Sequence, residues 1–370
     1  MRWWKPVVVV AVGAVAMAGV VVPRVDSVAA QDGRCTPPPA SSPAYYDFVS
    51  TYRAACATRQ NWDRAFDDVT VSSLVDGRNR LAVTSSAALA GAVASVSVNG
   101  KEFIASGGYG SAFQYAFHGW GNGKQASECY NPTQAGARID SDGQAPPFHA
   151  KSSTSALYTF EQEGAATIRT EQRPAMYMTW ADQHAGYDGC HGADLQPARS
   201  PYTQGLSPYW LRTRVALAPD HGLATNVIRL SADLTSEDTV QDNFDGVLVA
   251  YLQRDFVNVY SYDPATNKLV KRAPESYASN LPLMRCTADG GYCLGMLLPP
   301  AAREAGAYYY AQTRPPAPYN AMLGEANLQV TYQTTTALDA GDRLTYDLYV
   351  AIGNRARVAS TLAALTKKLS

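Results

Sequence analysis

The sequence predicts a mainly β protein, a large antiparallel β-sandwich with one helix before the sheets and one after them. Three observations predict it. From Asp68 onward apolar residues recur with a period of two, in roughly a dozen short segments. Gly, Asn, Asp and Pro punctuate those segments. No fixed period of the kind that builds propellers or solenoids is visible. Such a chain buries its strand faces by packing sheet on sheet.

The elements follow in order. Residues 1–30 read as an export signal: Arg2 and Lys5, then an apolar run from Val7 to Val22, then Ser27-Val28-Ala29-Ala30, with cleavage expected before Gln31. The run is shorter than the roughly 20 residues that span a bilayer, so no membrane attachment is expected after cleavage and the mature chain is expected to be secreted or periplasmic. Residues 31–43 are an exposed, proline-rich leader. Residues 44–370 are expected to form one sandwich domain, since no linker-like composition shift follows. At 44–58 Tyr45, Phe48, Val49, Tyr52 and Cys56 fall at helical spacing. Strands begin with Val69 and Val71, and Asn99-Gly100 within 95–104 is the strongest hairpin signal. Phe113, Tyr115 and Phe117 alternate with Gln114, Ala116 and His118. Further strands are expected at 153–160, 167–180, 209–217, 223–234, 244–252, 256–262, 308–312, 327–333 and 344–352. Residues 181–208 are a long loop rich in Gly, Pro, Asp and His. Val358, Leu362, Leu365 and Leu369 form a closing helical stripe, expected to cover a sheet edge or end.

One stretch gathers chemistry. Residues 114–136 start as a strand, open into a glycine-rich loop, and bring Glu128, Cys129, Tyr130, Asn131 and Gln134 together. Candidate catalytic residues are Glu128, His118, Tyr130 and His184, since acid–base cleavage needs a carboxylate, an imidazole or a phenol. Candidate substrate-binding residues are Gln114, Asn131, Gln134, Trp120 and His149, which offer amides, a ring and a donor to sugar hydroxyls. Glu128 with Asp140 or Asp142 has the composition of a glycosidase pair. Trp120, Trp180 and Trp210 are candidate stacking platforms, the last two expected to be buried in the sandwich. Structural duty is the alternative for each of these residues.

Other chemistries lack their signatures. The net charge is −1 with no basic run, which argues against nucleic acid as a partner. There is no nucleophile elbow, phosphate loop or dinucleotide fingerprint. No cofactor or catalytic metal is expected; Asp140-Ser141-Asp142-Gly143 carries part of a calcium-loop pattern without its third acidic position and closing glutamate, and a structural calcium there is the alternative. The six cysteines all follow the signal and suit an oxidising compartment. Cys286 and Cys293 bracket a turn, and Cys35 and Cys56 flank the first helix, which leaves Cys129 with Cys190; the connectivity stays open.

Several fragments together resemble a family of secreted bacterial proteins with a super-sandwich of the galactose-mutarotase-like or polysaccharide-lyase-like kind. They are VSVNGKEFI (96–104), GSAFQYAF (110–117), ECYNPTQAG (128–136), YDPATNKL (262–269), CTADGGYCLGM (286–296) and AGDRLTYDLYVAIG (340–353). The resemblance implies one large sandwich and a poly- or oligosaccharide partner. Relatives often carry Gly-Arg before the Gln that Gln114 matches. Here Ser111 follows Gly110, which removes a cation that would meet an acidic sugar. The function expected is a polysaccharide-degrading lyase or glycoside hydrolase. A non-catalytic carbohydrate-binding or envelope protein of the same fold is the alternative, and an aldose epimerase a third.

Overall fold

The computed structural model describes residues 66–106, 112–121, 124–130, 132–133, 155–174, 209–218, 223–236, 244–279, 281–299, 308–314, 325–333 and 340–369. At 88, 118–121, 124–130, 156, 244–245, 247, 279, 314, 325 and 333 it describes the backbone alone. The export signal, the leader, the first helix and the loop at 181–208 lie outside these residues.

Two antiparallel sheets make a sandwich, as the alternation predicts. The larger sheet takes β1 (Val69–Leu74), β2 (Arg80–Ser86), β3 (Ala92–Val98), β4 (Lys101–Glu102), β5 (Phe113–Gly121) and β6 (Lys124–Tyr130) from the first part of the chain. The smaller takes β7 (Ala156–Glu163), β8 (Thr167–Arg173), β9 (Tyr209–Leu217) and β10 (Val227–Ser236). The chain then returns to the larger sheet with β11 (Phe244–Gln253) and to the smaller with β12 (Asn258–Asp263) and β13 (Lys268–Arg272). It continues with β14 (Ser276–Ser279), β15 (Leu283–Cys286), β16 (Cys293–Leu297), β17 (Tyr308–Arg314), β18 (Glu325–Gln333) and β19 (Arg343–Gly353). The larger sheet runs β1-β2-β3-β5-β11-β18-β17-β14, with β4 on β3 and β6 on β5. The smaller runs β13-β12-β15-β16-β19-β10-β9-β8-β7. Inward residues of both sheets, among them Val83, Phe117, Leu211, Leu230, Leu248, Leu328 and Leu348, form one continuous core.

Local chemistry explains the best-defined corners. Asn99 and Gly100 have φ of 50° and 83°, the left-handed pair that a tight hairpin between β3 and β4 demands. The β15–β16 hairpin is closed by the disulfide Cys286–Cys293, as the spacing predicts. The strand expected at 167–180 stops at Arg173, because Pro174 has no N–H for the ladder. The closing helix α1 (Arg355–Leu369) buries Val358, Leu362 and Leu365. It does not cover an edge or an end. It packs on the outer face of the smaller sheet, against Met284, Leu297, Tyr349 and Ala351. Gly295 makes room for it: a Cβ there would lie 2.8 Å from Val358 Cγ1.

Three turns are held by aspartates. Asp76 Oδ1 accepts from the N–H groups of Asn79 and Arg78 at 2.8 and 3.1 Å. Asp263 accepts from the Thr266 hydroxyl at 2.7 Å and the Ala265 N–H at 2.9 Å. Asp289 accepts from the Thr287 hydroxyl at 2.6 Å and the Gly291 N–H at 2.9 Å. These bonds hold all three carboxyls below their ordinary 3.8. A depressed folded-state pKa stabilises above the unfolded value and ceases to do so as pH falls through the folded one. The thermal midpoint is therefore expected to be flat near neutrality and to fall below about pH 4. Asp→Asn changes at these turns should flatten that acid limb in a pH series of melts.

Candidate active site

Alternation decides which side chains leave the core. On β5, Phe113, Tyr115 and Phe117 enter the space between the sheets, whereas Ala116 packs with Val249 and Tyr251 on the outer face. Gln114 and the backbone position of His118 share that outer face. Strand register carries the face across the sheet. Gln114 is opposite Val249, Val249 opposite Gln329, Gln329 opposite Tyr310, and Tyr310 opposite Tyr277. Four residues along β5, His118 is opposite Glu128 on β6 and Asp245 on β11, and Asp245 is opposite Gln333 on β18.

The structure thus brings Gln114, His118 and Glu128 onto one sheet, two of them as direct cross-strand partners. It also corrects their setting. Glu128 and Tyr130, expected in a glycine-rich loop, lie on β6, which folds back on β5. The signal was present in Gly121-Asn122-Gly123, whose Asn-Gly is hairpin chemistry. The ladder slips on both sides of His118, and Cys129 is the extra residue of one slip. Bulges re-aim strands and recur beside active sites. Tyr130 is opposite Phe117, and Trp120 opposite Gln125. Asn131, Gln134, His149, His184, Asp140, Asp142 and Trp180 lie outside the described residues, as do Cys35, Cys56 and Cys190. Trp210 is not buried between the sheets as expected. It is half-buried on the outer face of the smaller sheet, 4.9 Å from the Tyr158 ring and 4.8 Å from the Arg173 guanidinium.

Asp245 was not legible in the sequence. It is 127 positions from His118 in sequence (245 − 118), and only long-range register joins them. No local motif marks it.

Gln114 is fully buried, and neither its amide oxygen nor its nitrogen has a hydrogen-bond partner. Leaving such groups unpaired costs about 1–3 kcal/mol each, so a polar occupant that pairs them is strongly favoured. Asn327, opposite Tyr251 on the same face, is buried with its Oδ1 unpaired as well.

Beneath Gly246, on the inner face of the larger sheet, the packing is aromatic. Tyr346 from β19 stacks on Tyr332 at 5.3 Å and meets Tyr115 edge-on at 6.4 Å. Tyr115 donates to the Ser231 carbonyl at 3.1 Å. Burial raises both the Tyr115 and Tyr346 hydroxyls well above the usual phenol range, so both stay protonated near neutrality. Gly246, next to Asp245 and opposite Phe117, admits this stack: a Cβ there would lie 2.7 Å from Tyr346 Oη. Gly246→Ala is therefore expected to cost about 1–3 kcal/mol by overpacking and to impair the site, checked by denaturant melts alongside activity. Between the sheets, Tyr115, Thr133, Gln172 and Thr213 line a cavity of about 10 Å³. It holds about one water and is too small for a sugar. Among the described residues, no group of three or more His, Cys, Asp or Glu is placed to hold a metal ion. Among them, too, no helix is long and apolar enough to cross a membrane.

No protein-family model matches the chain, and no curated protein matches it. Solved structures do. A galactose mutarotase related enzyme from Lactobacillus acidophilus is similar at 9% identity and a TM-score of 0.44, over 78% of this chain and 97% of that one. An aldose epimerase homologue from C. elegans is similar at 8% identity and a TM-score of 0.41, over 78% and 99%. A heparan sulfate lyase from Pedobacter heparinus is similar at 9% identity and a TM-score of 0.38, over 83% and 42%.

Proposed function

We propose that this protein is an exported carbohydrate-active enzyme that cleaves a poly- or oligosaccharide on the outer face of its larger sheet. The observation that supports it is the register of His118 between Glu128 and Asp245. Glycosidic cleavage needs a group that takes a proton and a group that gives one. Register sets a histidine position between two carboxylate positions on three adjacent strands, and those residue types can supply both. In this scheme His118 and Glu128 are the acid–base pair, Asp245 supports the imidazole, and His184 is a further proton carrier, whereas Tyr130, opposite the inward Phe117, holds a register position on the other face. Gln114, Asn131, Gln134, Trp120 and His149 bind sugar hydroxyls and rings. Hydrolysis adds water across the bond. Elimination instead removes the proton beside a uronate carboxylate and leaves a double bond.

A glycan panel tests the proposal. New reducing ends without ultraviolet absorbance mean hydrolysis, and an absorbing unsaturated product means elimination. If neither appears, the enzyme reading fails. One observation favours a second reading, a protein that binds glycans without cleaving them: Tyr277, 63% exposed, stands on the edge strand β14 with its ring 5.3 Å from that of Tyr308. Binding by the wild-type chain without turnover would favour that reading.

A further inference from the structure

We infer that the row Gln114, Val249, Gln329, Tyr310 and Tyr277 is a track for a neutral oligosaccharide, entered at the tyrosine end. The inference rests on the proposed carbohydrate function and names its substrate class. These residues are direct neighbours on five consecutive strands, from β5 through β11, β18 and β17 to β14. With strands about 4.8 Å apart, four steps span roughly 19 Å, the length of several sugar rings laid across the strands.

Exposure falls along the row. Tyr277 is open, Tyr310 and Gln329 are half-buried, Val249 is 6% exposed and Gln114 is 0% exposed. Chemistry changes with it. The open end offers amphipathic rings, Tyr277 beside Tyr308, suited to the apolar faces of sugars. The closed end offers the unpaired donor and acceptor of Gln114, and the unpaired Asn327 oxygen stands two strands away on a flanking row. A hydroxyl, which both donates and accepts, satisfies such an amide.

None of the residues that register places on this row or on those flanking it is charged. The flanking rows are Ala116, Val247, Thr331, Tyr308 and Ser279 on one side and Tyr251, Asn327 and Gln312 on the other. An anionic glycan would give up its hydration there without a cation in return. A neutral glycan has no uronate carboxylate, so the track selects hydrolysis over elimination.

The test uses the full mature chain, calorimetry and affinity electrophoresis. The probes are xylan, mannan, galactan and β-glucan with their oligosaccharides, against alginate, polygalacturonate and heparan sulfate. Binding to at least one neutral glycan is expected, tightening with chain length. Tyr277→Ala should weaken the long ligands at least about fivefold and leave the shortest ones and the thermal midpoint unchanged. Tyr158→Ala, an exposed tyrosine on the other sheet, should change nothing. Binding confined to acidic glycans, affinity independent of length, indifference to Tyr277→Ala, or no neutral binding each overturns the track. If His118→Ala abolishes turnover while Tyr277→Ala is silent, the track falls and the enzyme stands. If Tyr277→Ala weakens binding while His118→Ala keeps full turnover, the catalytic assignment falls and the track stands.

Discussion

Replacing Arg285 with methionine is expected to remove about 4 kcal/mol of stability, within the range for breaking a buried charge-assisted cluster. Arg285 enters from β15 into the space between the sheets and is 0% exposed. Its Nε donates to the Asn327 carbonyl at 3.0 Å and Nη1 to the Phe256 carbonyl at 3.0 Å. Its Nη2 donates to the Pro274 carbonyl at 2.8 Å and the Thr313 hydroxyl at 3.3 Å. Burial lowers its pKa to about 10, so the guanidinium stays charged at neutral pH. Methionine fills much of the volume and removes every donor, leaving the Phe256 and Pro274 carbonyls stranded in their turns. Lysine keeps the charge but not the planar fork, and should restore only part of the loss. Chemical denaturation of the two variants checks this; a midpoint within error of wild type for methionine would refute the pinning role. Because Pro274 precedes β14 and Thr313 lies on β17, Arg285 also holds the strands of the tyrosine track. A folded fraction of the methionine variant should bind glycan weakly.

His118→Ala is expected to lower turnover at least about 100-fold, the lower end for loss of a positioned acid or base. Glu128→Gln and Asp245→Asn should each lower it too, and the paired variants should lose less than the product of the single losses, since groups acting as a unit are not additive. Glycan affinity should survive in all of them, because the binding row lies two rows from His118 on β5. Parallel measurement of turnover and binding separates a catalytic role from a structural one.

What the chain declares locally, it declares well. The Asn99-Gly100 turn, the Phe113–Tyr115–Phe117 face, the Cys286–Cys293 hairpin and the Val358–Leu362–Leu365 stripe each follow from residues a few positions apart. Turn angles and side-chain periods are set over such distances. Gln114 is legible as polar on an apolar strand, but its burial without partners is not, because burial depends on what the whole sheet brings over it. Asp245 and Arg285 mark where local inference stops. Asp245 gains meaning from pairing with a strand far away in sequence, and Arg285 looks like any charged residue between Met284 and Cys286 until two sheets close around it. Glu128 sits between these cases. Its strand is foretold by Asn122-Gly123, but glycine density also suits an open loop, and only pairing with β5 separates the two.

The most direct measurement is the initial rate of new reducing ends from a neutral glycan, with wild type and His118→Ala side by side at matched folded concentration. The proposed site predicts measurable cleavage by wild type and a fall of at least about 100-fold in the variant, with glycan binding retained. Equal rates would contradict it, as would no cleavage by wild type of any glycan, neutral or acidic; failure on the neutral glycans alone would contradict the neutral substrate class.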